Sequence, residues 1–184
     1  MKTRLDTFDN SWYKPGSKVR IAIWFIFNAI ILKSKLNPFS RIKIVVLRLF
    51  GAKIGKGVVI KPSISVKYPW KLTVGDYVWI GENVWIDNLD EVIIGNHVCI
   101  SQGALLLCGN HNYKKSSFDL IVKPIELKDG AWIGARATVT QGVVCNEHSV
   151  LSVQSVANSD LMASCIYQGV PAIKIRERLI NDEA

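Results

Sequence analysis

Residues 92–107 read VIIGNHVCISQGALLL, and every sixth position from Ile94 onward carries an aliphatic anchor. The same spacing continues in both directions along the chain. The anchors are Ile54, Ile60, Val66, Val74, Ile80, Ile86, Ile94, Ile100, Leu106, Leu127, Ile133, Val139, Cys145, Leu151 and Ala157. An α-helix needs apolar spacings of three and four, and a simple strand needs a spacing of two. A period of six therefore predicts short strands joined by corners and stacked turn on turn into a solenoid.

Two kinds of interruption divide this repeat. The register slips by two residues at Tyr68-Pro69-Trp70 and again at Leu89-Asp90-Glu91, as expected for insertions at corners. The period is lost completely over residues 108–124 and then resumes. Long excursions from a rigid scaffold commonly carry function. We therefore predict a β-helix over residues 51–168 whose functional loop lies at residues 108–124.

The segments on either side of the repeat are predicted to be helical. Residues 1–50 are expected to form an arm and helices, since Ile21–Leu32 is almost entirely apolar. Asn37-Pro38 fits the N-cap and first turn of a second helix, which is expected to cover the strand edges of the first turn of the solenoid. Residues 169–184 are predicted to form a turn and a short basic tail helix.

The apolar segment Ile21–Leu32 has two interpretations. Its twelve residues are too few to span a bilayer, because a spanning helix needs about 20. In the first interpretation, the segment packs against the solenoid or a neighbouring subunit. In the second, it lies in the interface of an anionic membrane, with Trp24, Phe25 and Phe27 inserted and basic flanks on the headgroups. We expect a cytoplasmic protein, which in the second case is located at the inner face of the cytoplasmic membrane.

The composition excludes several classes of protein. The 184 residues suffice for one domain, 49% of them are hydrophobic, and the formal net charge is +8. This charge suits an anionic ligand, an anionic membrane surface or a generic basic protein. No nucleic-acid-binding motif accompanies it, so nucleic acid is not an expected partner. The four cysteines form no C-x-x-C pair, and neither a disulfide framework nor a zinc site is expected.

One of the three histidines differs from the others in its position. His111 lies in the sequence GNHNY, at the point where the repeat breaks. His97 and His148 lie inside hexads at outward-facing positions and are interpreted as surface residues. We therefore predict that His111 is the catalytic residue.

Several motifs carry a resemblance to a known family. The stretch Ile94–His111 resembles the segment of galactoside and maltose acetyltransferases that ends in their catalytic histidine. Trp132-Ile133-Gly134 and Gly169-Val170-Pro171 match motifs of the same group. Phe50–Gly55 and Tyr68–Leu72 resemble the colanic-acid-type O-acetyltransferases of exopolysaccharide gene clusters. The resemblance implies the left-handed parallel β-helix of the hexapeptide-repeat acyltransferases.

The resemblance also implies a mechanism without a covalent enzyme intermediate or a metal ion. His111 is expected to accept the proton of a sugar hydroxyl as that hydroxyl attacks the thioester of acetyl-CoA. The backbone N–H of Ala135 is implied as the donor to the tetrahedral oxyanion. Asn110 or Asn112 is expected to orient the imidazole.

The binding site for acetyl-CoA is implied to lie in a groove between adjacent solenoids of a homotrimer. The residues implied in this site are Trp132, Gly134, Ala135, Val153, Asn158, Ser159, Lys174 and Arg176. Asn158 and Ser159 stand where the family has a Thr-Lys pair, so one positive charge is missing there. Lys174 and Arg176 are expected to meet the phosphates, or to belong to a solvated basic tail.

The acceptor site departs from the family pattern. Trp85 stands where sugar acetyltransferases of this group carry an acceptor-contacting asparagine, and Asn83, Asp87 and Asn110 are the nearby polar candidates. A tryptophan face suits stacking on a pyranose ring, although Trp85 fits a trimer contact equally well.

Four functions remain open at this stage. The leading hypothesis is an acetyl-CoA-dependent O-acetyltransferase that acts on a sugar of an exopolysaccharide or surface-glycan precursor. The second is an acyltransferase that acts on an amino sugar or serine. A zinc hydratase on the same fold requires three converging histidines, and a non-catalytic scaffold does not account for His111 in its loop.

Overall fold

A parallel β-helix fills most of the computed structural model, which describes residues 2–181. Each full turn adds one short strand to each of three faces. The first face contains the strands Lys53–Ile54, Leu72–Val74, Val92–Ile94, Ile125–Leu127 and Val144–Cys145. The second contains Val59–Ile60, Trp79–Ile80, Cys99–Ile100, Trp132–Ile133, Val150–Leu151 and Cys165–Gly169. The third contains Ser65–Val66, Trp85–Asp87, Leu105–Leu107, Thr138–Thr140 and Val156–Ala157. The predicted solenoid is confirmed.

The anchors of successive turns form buried columns inside the solenoid. On the second face, Ile60, Ile80, Ile100 and Ile133 are in register and at most 1% exposed. Burying such a side chain stabilises the fold by about 1.5–3 kcal/mol relative to leaving it in water. The first predicted corner insertion is a 3₁₀ turn at Pro69–Lys71, between the third and first faces.

The corner between the first and second faces explains why glycine follows many anchors. Asp76 Oδ1 accepts a hydrogen bond from Lys56 N (2.9 Å), and Asn96 Oδ1 accepts one from Asp76 N (2.9 Å). Each side chain thus reaches back over the preceding turn. A Cβ atom at Gly55 or Gly75 would lie 2.2 or 2.7 Å from the reaching oxygen. Only glycine leaves room for this stacked hydrogen bond.

The N-terminal helices pack against the first turns of the solenoid. Helix α1 spans Lys18–Phe27 and continues as a π-helical turn over Asn28–Leu32, which confirms the predicted helix. Trp24, Asn28 and Leu32 form its buried side, and Trp24 Nε1 donates to a backbone carbonyl of the third face (2.9 Å). This side of the segment agrees with the first interpretation, packing against the solenoid. The expectation that Trp24 inserts into a membrane is wrong, because its ring is buried against the third face.

Helix α2 spans Ser40–Leu49 and begins later than predicted. The N-cap prediction at Asn37-Pro38 is wrong, because the Asn37 side chain bonds to backbone groups that precede the helix. The fully buried Lys43 donates from Nζ to the carbonyls of Asn37 (2.7 Å) and Ile60 (3.2 Å), and burial lowers its pKa. The helix covers the first turn, as expected.

The predicted C-terminal helix is also wrong. Ala172–Glu177 forms a strand that pairs antiparallel with Cys165–Gly169 at the end of the second face. Two isoleucines alternate there with Lys174 and Arg176, and alternation of this kind is typical of a strand. The hairpin also gives the last parallel strand a partner, which an edge strand otherwise lacks.

Both helices leave apolar side chains on their outer surfaces. Phe25 and Phe27 of α1 are exposed, as are the residues of two regular stripes, which are Val19, Ile23, Ile26 and Ile30 around α1 and Ile42, Val45 and Leu49 in α2. In each helix the residues of the stripe recur at intervals of three or four. In the described part of the chain, no helix is both long and apolar enough to cross a membrane.

Candidate active site

The break in the repeat is a β-hairpin at the corner between the third and first faces. Gly109–His111 pairs antiparallel with Leu120–Val122, and residues 112–119 connect them. Cys108 at its base is fully buried, and burial raises the pKa of its thiol to about 12. A thiol with this pKa stays protonated at neutral pH, so Cys108 is not a nucleophile.

The imidazole of His111 is held by the backbone of its own hairpin. Nδ1 lies 2.9 Å from the carbonyl oxygen of Phe118. A carbonyl only accepts, so Nδ1 carries the proton and Nε2 of the neutral ring keeps a free lone pair. Asn110 and Asn112, which were expected to orient the imidazole, bond to backbone groups instead. Asn110 Oδ1 accepts from the His111 backbone N–H, and Asn112 Oδ1 accepts from Lys114 N.

Two phenylalanine rings flank this imidazole. Phe118 stacks on it with a centroid distance of 4.4 Å and an interplanar angle of 8°. Phe8 comes from the N-terminal arm, residues 2–17, and its ring lies 5.7 Å from the imidazole at an angle of 54°. The sequence carries no local signal for Phe8, because only the folded chain brings the arm to the hairpin.

His111 lines a cleft of about 700 Å³ between the N-terminal arm, the third face and the hairpin. The other side chains that give the cleft its chemistry are Phe8, Tyr13, Tyr68, Asn10, Lys67, Asp87 and Asn110. Aromatic rings beside a few polar groups suit a ligand that has both apolar faces and hydroxyls. Two of the predicted acceptor residues, Asp87 and Asn110, therefore share a cleft with His111.

Asp87 is the buried charge of this cleft. It is 7% exposed, and Oδ1 lies 3.0 Å from Nζ of Lys67. The ion pair lacks hydrogen-bonding geometry, and no other donor within residues 2–181 bonds to Oδ1. Oδ1 itself is almost completely shielded from solvent, so a ligand in the cleft does not reach this oxygen while Lys67 stays in place.

The other two predicted acceptor residues lie outside the cleft. Trp85 is 49% exposed and lines an adjoining groove of about 240 Å³ between α1 and the third face. Asn83 lies next to this groove, in a hollow that it shares with Lys33 and Lys35. Lys67, Tyr68 and Asp87 line both the cleft and the groove, so the two adjoin.

A buried asparagine that the sequence analysis missed supports the cleft wall. Asn88 Oδ1 accepts from the backbone N–H groups of Lys67 (3.1 Å) and Tyr68 (3.0 Å). Its Nδ2 donates to the carbonyls of Tyr68 (2.6 Å) and Lys71 (3.2 Å). All four bonds therefore go to the corner insertion that forms part of the cleft.

The predicted oxyanion donor lies at the opposite edge of the third face. Residues 134–137 form a turn in which the last N–H donates to the first carbonyl (3.1 Å) and Arg136 has a φ of 56°. The N–H of Ala135 has no acceptor within residues 2–181. His111 occupies the corner between the third and first faces, whereas Ala135 occupies the corner between the second and third. One chain alone does not bring them into a single cleft.

Most of the remaining residues predicted to bind acetyl-CoA lie on or beside the second face. Val153 occupies the same corner position as Ala135, one turn later, and is 58% exposed. Trp132 Nε1 donates to Ser101 Oγ (2.9 Å), and Gly134 packs against the backbone of the following turn. Lys174 and Arg176 are exposed in the terminal strand of this face. Asn158 and Ser159 are also exposed, but they follow the strand Val156–Ala157 and lie at the corner between the third and first faces, where His111 also lies.

The other histidines and the cysteines do not form a metal centre. His97 and His148 are exposed at corners with φ values of 56° and 55°, as predicted. The four cysteines are free. Across residues 2–181, no group of three or more His, Cys, Asp and Glu side chains is arranged to hold a metal ion.

Comparison with known proteins gives several relatives, although no family model matches the chain. WcaF of Escherichia coli K12, named for colanic acid biosynthesis as an acetyltransferase, is 36% identical over 167 residues, which are 91% of this chain and 92% of WcaF. Galactoside O-acetyltransferase of the same organism is 26% identical over 134 residues, 71% of this chain and 65% of that protein. The hexapeptide-repeat acetyltransferase VCA0836 of Vibrio cholerae matches with a TM-score of 0.79 at 23% identity, covering 87% of this chain and 91% of that one.

The solenoid, the histidine hairpin and these relatives define an acyltransferase of the hexapeptide-repeat class. Within that class, the chain belongs to the family of WcaF. This confirms the family predicted from the sequence. A second structure of VCA0836 contains acetyl-coenzyme A.

Proposed function

We propose that the protein transfers the acetyl group of acetyl-CoA to a hydroxyl of a sugar in an exopolysaccharide or surface-glycan precursor. The observation that carries this proposal is the His111 imidazole, which has Nδ1 bound to a carbonyl and lines a cleft with Asp87 and Asn110. The similarity to WcaF over nearly the whole chain supports a glycan acceptor.

His111 is the general base of a direct transfer. Its Nε2 takes the proton of the acceptor hydroxyl while the hydroxyl oxygen attacks the thioester carbon. The C–S bond of the tetrahedral intermediate then breaks, and the imidazolium returns the proton to the departing sulfur of CoA. The carbonyl of Phe118 holds Nδ1–H throughout these steps and stabilises the imidazolium.

Ala135 supplies the donor to the oxyanion from a neighbouring copy of the chain. Its N–H is free but lies at another corner than His111, so a homotrimer with a site between subunits satisfies both roles. The outward side chains of the second face support such an interface because they form one apolar column. Its members are Val59, Trp79, Cys99, Trp132, Val150 and Ile166, of which all but the buried Val150 are at least partly exposed.

Acetyl-CoA lies along the corner that contains Ala135. The free N–H groups of Ala135 and Val153 are donors for the amides of the pantetheine arm, and Trp132 and Gly134 form the adjoining surface. Lys174 and Arg176 are cations for the phosphates. Asn158 and Ser159 lie at the corner that also contains His111, so they are proposed as contacts near the adenosine end from the neighbouring subunit.

The acceptor is a sugar linked to a lipid or nucleotide carrier. Asp87 and Asn110 bind its hydroxyls, and the adjoining groove at Trp85 and hollow at Asn83 receive the part beyond the sugar. Lys33 in this groove suits a carrier phosphate. Measuring kcat/KM for galactose, maltose and carrier-linked hexoses tests this assignment, and equal or better values for a free sugar would contradict it.

The outer stripe of α1 places the enzyme on an anionic membrane surface, where lipid-linked acceptors are available. Four exposed apolar side chains in one stripe and exposed Lys18 and Lys33 beside it support this contact. Flotation with vesicles that contain phosphatidylglycerol tests it. We expect Ile26→Glu to weaken the binding, and equal flotation of both proteins would leave the stripe as a contact between subunits.

The central test combines thiol release from acetyl-CoA with mass analysis of the acceptor. We expect His111→Ala to lower kcat by about 10²–10⁴-fold while acetyl-CoA still binds. His97→Ala is the matched control and should retain activity. Near-normal turnover of His111→Ala would remove this residue from the mechanism, and acetylation of an amine would favour the amino-sugar alternative.

A further inference from the structure

The N-terminal arm, residues 2–17, crosses the mouth of the His111 cleft. Three hydrogen bonds tie it to the cleft walls rather than to the central turns of the solenoid. They are Arg4 N to Ser116 O (2.8 Å), Tyr13 Oη to Leu89 O, and Trp70 Nε1 to Pro15 O (2.6 Å). The first hydrogen bond is to the turn of the hairpin, and the other two are to the corner insertions of the solenoid.

Between these ties the arm has little regular structure. Its regular part is a single 3₁₀ turn at Leu5–Thr7, and most of its residues are exposed. Phe8, Asn10 and Tyr13 nevertheless line the cleft, and Phe8 is half-buried beside the imidazole. An exposed segment with few backbone bonds of its own is able to adjust to a ligand without disturbing the β-helix.

We propose that this arm is a wall of the acceptor site and that Phe8 is a positioning residue for acetyl transfer. The proposal rests on the function proposed above. The Phe8 ring offers an apolar surface to one face of a sugar, and the Asn10 amide offers a donor and an acceptor to its hydroxyls. Phe8 and Phe118 together enclose the imidazole and limit the access of water to it.

This arrangement determines which nucleophile the base activates. With Phe8 in place, the acceptor hydroxyl reaches His111 and water is excluded. Without it, water enters, loses a proton to the imidazole and attacks the thioester, which yields acetate and free CoA. The arm therefore controls the ratio of hydrolysis to transfer as well as acceptor binding.

The test compares Phe8→Ala with Trp12→Ala, a matched control on the same arm. Trp12 is 55% exposed and does not line the cleft. Thiol release from acetyl-CoA is measured without acceptor and with UDP-glucose, UDP-galactose or a polyprenyl-diphosphate-linked hexose. We expect Phe8→Ala to lower kcat/KM for the acceptor by about 10–100-fold. The KM for acetyl-CoA should stay unchanged, and acceptor-free hydrolysis should rise several-fold.

Phe8→Leu, which retains apolar bulk, should recover part of the transfer. Trp12→Ala should resemble the wild type in every kinetic parameter. The proposal is overturned if Phe8→Ala and Trp12→Ala match in acceptor kinetics and in hydrolysis, whatever their melting temperatures. A wild-type protein that acetylates none of these acceptors would instead overturn the proposed function, and this inference with it.

Discussion

At the scale of single residues, the shape of the candidate site depends on polar groups other than those proposed to react. Asn88 is fully buried, and it satisfies two backbone N–H groups and two carbonyls of the corner at Tyr68. A buried backbone group without a partner costs about 1–3 kcal/mol. This asparagine therefore holds the corner in the conformation that lets Lys67 pair with Asp87.

We predict that Asn88→Ala lowers the free energy of unfolding by about 2–4 kcal/mol, because it leaves buried backbone groups unpaired. Urea unfolding of the variant and the wild type measures this difference. Asn158→Ala removes an exposed asparagine and should change stability by less than about 0.5 kcal/mol. Equal stability of Asn88→Ala and the wild type would mean that the corner holds its shape without this side chain.

The same scale explains which site residues could be predicted. His111 was identifiable because it stands at a break in a strict repeat, and its exposed counterparts sit at regular corner positions. Asp87 and Asn110 were placed near it by family resemblance and do share its cleft. Phe8, Phe118 and Asn88 carry no pattern of their own, because tertiary contacts alone give them their roles.

At the scale of the element, the repeated corner depends on a pairing of glycine with a short polar side chain one turn later. Gly75 lies beneath Asn96 in this way, and a Cβ there would also lie 2.7 Å from the carbonyl of Gly95. Lys128 occupies the equivalent position in a later turn, where no hydrogen bond of this kind is found. At this corner, the glycines after Ile54, Val74 and Ile94 thus mark the turns that are tied by these side chains.

We predict that Gly75→Ala destabilises the protein by about 1–3 kcal/mol, because the new methyl group displaces Asn96 and the backbone of the next turn. Lys128→Ala, at the matched position, should cost less than about 1 kcal/mol, since it loses only a partly exposed ion pair. Thermal or urea unfolding compares the two variants. Equal losses of stability in the two variants would show that any substitution at this corner position is destabilising, whether or not it replaces a glycine.

The β-helix itself was predictable because a period of six fits neither a helix nor an ordinary strand. The ends of the chain were harder to predict. The basic residues in Ala172–Glu177 suggested a tail helix, whereas the unpaired edge of the last turn selects a strand. Asn37 resembles an N-cap in sequence, but its side chain bonds to the chain before the helix, and α2 starts at Ser40.

At the scale of the whole molecule, the apolar column on the second face is partly exposed in a single chain, most of all at its two tryptophans. Trp79 is 59% exposed and Trp132 is 45% exposed within it. Contiguous apolar surface of this kind marks an interface. We predict that light scattering gives about three times the 20.5 kDa mass of one chain, and that Trp79→Glu shifts the mass towards the monomer. A monomeric wild type at micromolar concentration would rule out a site between subunits.

The last prediction tests whether His111 and Ala135 act across that interface. Ala135→Pro removes the proposed oxyanion donor and should cost the fold little. Gln102 is the equivalent residue one turn before Ala135, and Pro62 is the equivalent residue two turns before Gln102, so this corner already accommodates a proline. Ala135 is also the second residue of the turn 134–137, the position at which a four-residue turn favours proline. Both Ala135→Pro and His111→Ala should therefore be folded and inactive.

Co-expression of the two inactive chains should restore activity if one subunit supplies the base and its neighbour the donor. In randomly mixed trimers, about one quarter of the sites combine an intact His111 with an intact Ala135. We therefore expect about one quarter of the wild-type kcat per site, measured by thiol release with a carrier-linked acceptor. Mixing the proteins after purification, when subunits no longer exchange, should give none. Co-expressed mixtures that remain inactive would place both groups in one chain, and an active Ala135→Pro variant would remove Ala135 from the reaction.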